Sequence, residues 1–313
     1  MNSIMLFGSP ISWVVTEIFS LVLLFVCIIH MSKQQNSLNK LLEYFAFIIL
    51  AGIFENLGVY FKDYVYDLHR YMMIGKVPLE VLIVEASILY AAFVLVDYLN
   101  IPTWSKPIVI GFFTSVQDIS LDPAAIYDMH LFDGKMSGQW NWTFRYDGGI
   151  AGIKYQNFSG WFTMMMFFAA SVYIGRWLYV KYNKKSVGFI YPFVAIITSL
   201  LLIVSPINVF LIGATPIFPM NQEIPGLVML ILKYGVAVAI LIIYRKRLIP
   251  IDLSKDKFVF LLPISLHLFD VVYALIMGTK IAYVAVITIS VIHFIYFYYL
   301  YSKSKKLSAI KAN

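Results

Sequence analysis

Charge is scarce in this chain. Only 13% of its 313 residues are Asp, Glu, Lys or Arg, against about 25% in an ordinary water-soluble domain. With 61% hydrophobic side chains and a mean hydropathy of +0.80, there is more apolar surface than one soluble core could hide, so a soluble globular protein is excluded. Cysteine is almost missing as well. The single Cys27 lies inside an apolar run, which rules out an intrachain disulfide and gives no support to a thiolate metal cluster. Residues 1–10 lack a basic leader, and no small-residue cleavage pattern follows the first apolar run, so that run reads as a retained first span. No internal repeat, low-complexity tract or linker divides the sequence, and one membrane-embedded domain over 1–313 is expected.

What the chain has instead is length in its apolar runs. A helix needs about 20 apolar residues to cross a bilayer, and such runs fall at 11–31, 42–60, 77–99, 106–120, 159–180, 187–213, 224–244, 258–278 and 280–301. The expected fold is an all-α polytopic transmembrane helical bundle of about nine spans, with seven to nine as the range. The fourth run is short and reads as tilted or partly re-entrant. A net charge of +7 would suggest nucleic acid in a soluble chain. Here the basic residues sit in short alternate loops: Lys33, Lys40, Lys106, Lys181, Lys184, Lys185, Arg245, Lys246, Arg247, Lys255, Lys257 and the tail from Lys303. Cytoplasmic loops collect Lys and Arg, so these loops and the C-terminus are expected in the cytoplasm and the N-terminus outside. No nucleic-acid partner follows, and the cell (cytoplasmic) membrane is the expected location.

The opposite face carries two longer segments, 61–76 and 121–158. The second is long for a bundle connection, which marks it as functional or folded into the protein. It carries Trp140, Trp142, Tyr146, Tyr155, Phe158 and Trp161 interspersed with Gly148, Gly149, Gly152 and Gly160. Interfacial belts explain many single aromatics. A glycine-hinged aromatic flap over a site is the sharper expectation.

Acids are not spread evenly along the spans. Glu17, Glu55, Glu80, Glu85, Asp118, Asp122 and Asp270 all fall toward the outer half, where ionisable groups cost roughly 2.5–3.5 kcal/mol each on insertion scales and by default mark a functional interior. Asp118 and Asp122 are four apart and share a helix face, and Pro123 after them suggests a change of direction. Lys233, halfway along its span, calls for a carboxylate partner, with Asp270 the first choice. His69 and His130 match no metal spacing. Asn141-Trp142-Thr143 and Asn157-Phe158-Ser159 fit the glycosylation pattern on the outer side.

Four segments, in order, resemble one family. They are Glu55-Asn56-Leu57-Gly58-Val59-Tyr60, Gly75-Lys76-Val77-Pro78-Leu79, Asp118-Ile119-Ser120-Leu121-Asp122-Pro123-Ala124, and Gly152-Ile153-Lys154-Tyr155-Gln156-Asn157-Phe158-Ser159-Gly160-Trp161. The chain is similar here, over roughly its central third, to the integral-membrane carotenoid biosynthesis proteins of the bisanhydrobacterioruberin hydratase and carotene hydratase type. The resemblance implies addition of water to an end-group double bond of an acyclic carotenoid, giving a tertiary alcohol, with no cofactor. On that basis Asp118 or Asp122 would donate the proton with Glu55 in support. Trp140, Trp142 and Trp161 would shield the cation, Tyr155 and Asn157 would orient water, and Tyr60, Glu80 and Glu85 would complete the substrate site. Membrane lipid, a carotenoid or other polyprenoid, and other enzymes of carotenoid synthesis would be the partners. The chain departs from the family where Glu80 and Glu85 follow Val-Pro-Leu, and in a drawn-out polar stretch between Asp122 and Trp140.

Three other readings stay open on the residues. A membrane prenyltransferase would use the Asp63/Asp67 and Asp118/Asp122 spacings to hold magnesium and a diphosphate, although both pairs lie on the outer side. A proton-coupled transporter would use the acids as a relay and should show inverted repeats. A lipid-binding scaffold would tolerate Asp118→Asn.

Overall fold

The computed structural model describes residues 4–142, 149–213, 223–247, 256–277 and 280–312. Where water is missing, a chain must satisfy its own backbone, and a helix does so within one segment. Ten α-helices accordingly dominate the described residues: α1 (Ile11–Ser32), α2 (Ser37–Tyr60), α3 (Leu79–Tyr98), α4 (Lys106–Ile126), α5 (Tyr155–Tyr182), α6 (Lys185–Ile203), α7 (Pro206–Leu211), α8 (Glu223–Ile243), α9 (Phe258–Met277) and α10 (Lys280–Ala312). Seven of them, α1, α2, α3, α5, α6, α8 and α10, are long and apolar enough to cross a membrane. The fold is thus an all-α polytopic bundle. α4 falls outside that set because of its polar content, since its 21 residues at about 1.5 Å each reach roughly the 30 Å of a hydrocarbon core.

Burial ranks the helices. α3 is enclosed on all sides, with 83% of its apolar window buried, whereas the figure is 28% for α8. A helix that is apolar all round belongs at the centre, and α3 packs against α1, α2, α4 and α9. The outer helices present Ile18, Val22, Phe25, Ile190, Ile197 and Leu232 outward, which a soluble protein could not leave in contact with water. α4 and α5 approach closely at Gly111, where an added Cβ would lie 2.7 Å from the Phe162 carbonyl oxygen.

Contacts divide the connections into two ends. At the basic end Arg176 meets Glu43 and Asp97, the Asn100 amide donates to the Arg247 carbonyl, and Lys303 reaches the Arg245 carbonyl. At the other end four short two-stranded sheets form: β1 (Met5–Leu6) with β2 (Ser9–Pro10), β3 (Tyr64–Tyr66) with β8 (Trp140–Trp142), β4 (Met73–Ile74) with β5 (Val77–Pro78), and β6 (His130–Phe132) with β7 (Lys135–Ser137). The β3–β8 pair knits the two long outer segments together, with Tyr64 opposite Trp142 and Tyr66 opposite Trp140.

Several expectations change at this level. Segment 121–158 is not one loop: α4 continues through Pro123 to Ile126, and α5 begins at Tyr155. Pro123 lies in the last turns, so Asp122 stays on the helix. The run at 187–213 is broken into α6 and α7, because Ser205 precedes Pro206 and is driven to an extended conformation, ψ 157°, which ends the helix before it. Thr143, Tyr146, Gly148 and Lys255 lie outside the described residues.

Candidate functional site

The acids of the outer half come together because four helix ends meet there. Glu55 sits in the last turns of α2, Glu80 and Glu85 in the first turns of α3, and Asp118 and Asp122 on one face near the end of α4. All five line one cavity of about 440 Å³ with Trp140, Trp142, Asn157 and Trp161. Asn157, in the first turn of α5, donates its Nδ2 hydrogens to Asp118 Oδ2 at 3.0 Å and to Asp122 Oδ2 at 2.6 Å.

Glu55 is held differently. The Tyr64 and Tyr66 hydroxyls both donate to its Oε2, at 2.7 and 2.6 Å. Burial first, and then the adjacent Glu55 carboxyl, push both phenols well above their ordinary range, so they remain protonated donors. Residues two apart on a strand share a face, which puts Tyr64 and Tyr66 together, and the same rule puts Trp140 and Trp142 together. The rings meet edge to face, Tyr64 with Trp142 at 5.2 Å and Tyr66 with Trp140 at 5.8 Å between centroids. Gly58 makes room for this, since any Cβ there would collide with the Tyr64 hydroxyl.

The remaining acids separate into paired and unpaired. Glu80 faces the cavity but is tied to Arg70 Nη1 at 2.7 Å; Arg70 lies over the Trp13 ring and donates to Gln139. Glu17 accepts from the Tyr71 amide at 2.9 Å, and Asp270 accepts from Ser120 Oγ at 2.9 Å. Neither oxygen of Glu85 has a hydrogen-bond partner among the described residues, nor does Oδ1 of Asp118. Among the described residues no ion pair includes Glu55, Glu85, Asp118 or Asp122.

Other expected residues are placed elsewhere. Tyr60 is 77% exposed and does not line the cavity. Tyr155 packs in a small cluster with Ile153, Phe158 and Leu230. Lys233 does not pair with Asp270; it donates to the Ser159 carbonyl and hydroxyl and lies 5.2 Å from the Phe162 ring centroid. The Asn157 side chain is turned inward onto the carboxyls, so that tripeptide offers no acceptor to a glycosylating enzyme. Asp63 borders the cavity, whereas Asp67 turns to His69 at 2.7 Å, so the Asp63/Asp67 spacing does not form one ligand pair. Among the described residues no three His, Cys, Asp or Glu side chains converge as metal ligands. Tyr64, Tyr66 and Gln139 were not expected at the cavity. The alternation Tyr64-Val65-Tyr66 is the signal that could have found the first two.

The cavity is elongated and mostly apolar. It extends from Thr16 and Phe19 on α1 and Leu266 and Phe269 on α9 to Ile203 and Val204 near the α6–α7 break. Its wall includes Leu57, Phe61 and Val204, which are 37%, 68% and 70% exposed, so exposed apolar side chains border it, a lining that suits an apolar chain. The chain matches no family model, no curated protein and no solved structure.

Proposed function

We propose that this protein is a hydratase of polyprenoid end groups, most simply of an acyclic carotenoid, acting in the cell membrane beside other enzymes of carotenoid synthesis. The observation that carries the reading is the Asp118–Asn157–Asp122 bridge lining a mostly apolar cavity that exposed apolar side chains border. Protonating a trisubstituted alkene needs a carboxylic acid in a dry, shaped site. The carboxyl pair supplies the proton, and Asn157 fixes both side chains while leaving Oδ1 of Asp118 without a hydrogen-bond partner among the described residues. Protonation at the less substituted carbon places the positive charge on the tertiary carbon. The faces of Trp140, Trp142 and Trp161 suit that charge because an aromatic ring attracts a cation. Addition of water then gives the tertiary alcohol, and no redox partner is needed. The motifs shared in order with the carotenoid hydratase family support the same chemistry.

By the positive-inside rule the basic end faces the cytoplasm, which puts the cavity near the outer surface. The test is expression in a lycopene-making host, with pigments analysed by mass. Products that gain one or two waters are expected; unchanged lycopene in membranes that hold the folded protein overturns the carotenoid assignment.

A proton-coupled transporter is the second reading, and one feature favours it. Asp270, at the cavity wall, is linked through Ser120 to His267 and on to His293 and Gln117 by buried hydrogen bonds of 2.9, 3.4, 2.5 and 3.3 Å. Proton uptake by vesicles that hold the protein, driven by an added polyprenoid, would favour that reading.

A further inference from the structure

The carboxyl wall has two kinds of oxygen. Glu55 Oε2 is engaged by two phenols, and Oδ2 of both Asp118 and Asp122 by Asn157. Among the described residues, both oxygens of Glu85 and Oδ1 of Asp118 are without hydrogen-bond partners, although Glu85 is only 1% exposed and Asp118 not at all. Buried polar atoms are nearly always hydrogen-bonded, and leaving one unmade is costly. These three oxygens belong to groups on adjoining helices, α3 and α4, that border the same cavity. The arrangement is completed by whatever occupies the space between them.

The chemistry of the gap selects its occupant. Carboxyl groups bordering one cavity offer acceptors, and a donor wherever a proton resides; the complement is a group that both donates and accepts, which a hydroxyl does. A water needs roughly 10–15 Å³, and the cavity is about 440 Å³. A hydroxyl also matches the reaction, because water is its reactant and a tertiary alcohol its product.

We infer that Glu85 and Oδ1 of Asp118 form a hydroxyl seat, which holds the attacking water before hydration and the new alcohol after it; this rests on the hydratase reading. The atoms balance. A proton leaves the Asp118–Asp122 pair and forms a C–H bond with the alkene π electrons. A lone pair of the seated water forms the C–O bond at the tertiary carbon and one O–H bond breaks. Glu85 takes that proton as it passes its own to the aspartate pair, which the first step left one proton short, so every carboxyl is restored and only alkene and water are consumed. A hydroxyl already carried by the substrate is a second source for the same seat.

Membranes containing the full chain, as wild type, Glu85→Gln and Glu85→Leu, would be assayed with lycopene and with a monohydroxylated acyclic carotenoid. Thermal unfolding in detergent would establish that each variant is folded. Glu85→Gln keeps the shape but cannot take the proton, so kcat on lycopene should fall about 100-fold or more with KM unchanged, and Glu85→Asp should recover part of it. A loss confined to KM for the hydroxylated carotenoid keeps the seat and assigns it to the substrate's own hydroxyl. Wild-type rates in folded Glu85→Gln and Glu85→Leu, with both substrates, overturn the seat. A wild type that hydrates neither substrate overturns the hydratase reading instead.

Discussion

The bundle holds two acid clusters, one at each end, and they are built on opposite principles. At the basic end Glu43 receives Arg176 through Nε at 2.8 Å and Nη2 at 2.6 Å, together with the Tyr191 hydroxyl. Asp97 there receives Arg176, Lys106 and the Tyr173 hydroxyl at 3.1, 3.0 and 2.8 Å. Cations and phenols balance these acids, and the cluster ties α2, α3, α4, α5 and α6 together. At the other end Glu55, Glu85, Asp118 and Asp122 are buried about as deeply as Glu43 and, among the described residues, have no cation, only two tyrosines and an asparagine. Paired acids cross-brace the helices. Unpaired acids at comparable depth stabilise nothing by themselves, and a bundle keeps them for what enters the cavity.

Substitutions that exchange these roles test the contrast. The largest effect is expected from Asp122→Asn, which keeps the shape but removes a proton-bearing group from the dyad. Product per folded protein should drop by about 100-fold or more, with thermal stability in detergent unchanged or higher, and pigment analysis beside a melting curve reads both quantities. Arg176→Met should do the reverse. It strands Glu43 in the interior and costs about 3 kcal/mol or more of stability, visible as a lower melting temperature, while the remaining folded protein keeps its activity. Equal stability losses in the two variants would erase the distinction.

A smaller effect is expected from Gly58→Val, which has no room beside Tyr64. Displacing that phenol removes one of the two hydrogen bonds to Glu55, and a bond to a carboxylate is worth about 1.5–3 kcal/mol, so activity should fall about tenfold with the fold retained. Smallest of all is a pH effect in the β-rich cap. Burial raises Asp67, but hydrogen bonds from Ser137 and His69 outweigh it and hold the carboxyl below its ordinary range. Because the folded value is depressed, the stabilisation is present above the unfolded value, about pH 4, and is lost as pH falls through the folded value. Melting temperatures recorded down through that window should decline more steeply for wild type than for Asp67→Asn.

How much of this was legible in the sequence differs between fold and site. Apolar length and the alternation of basic loops identified every long helix, since both follow directly from the bilayer. Boundaries depended on local backbone chemistry: Pro206 broke one run, and Pro123 did not end another. At the site, the four-residue spacing of Asp118 and Asp122 placed them on one face, and Asn157, Trp140, Trp142 and Trp161 line the same cavity. Pairing was the illegible part. Glu80 and Glu85 read alike as neighbours in one span, yet a loop residue far away, Arg70, neutralises the first, and among the described residues no partner reaches the second. Lys233 was expected to seek a carboxylate and found Ser159 instead, because which side chains meet across helices is set by rotation of each helix in the packed bundle. Tyr60 was expected at the site but lies on the last turn of α2 facing outward.

The most direct measurement of acid catalysis by the unpaired cluster is isotopic. Membranes holding the wild-type protein would be supplied with lycopene in deuterium oxide, and the hydroxylated product examined by mass and NMR. The account predicts one carbon-bound deuterium for each water added, on the carbon next to the tertiary alcohol, and no such product from a folded Asp118→Asn, Asp122→Asn double variant. A hydroxylated product without carbon-bound deuterium, or one formed undiminished by the double variant, would contradict it.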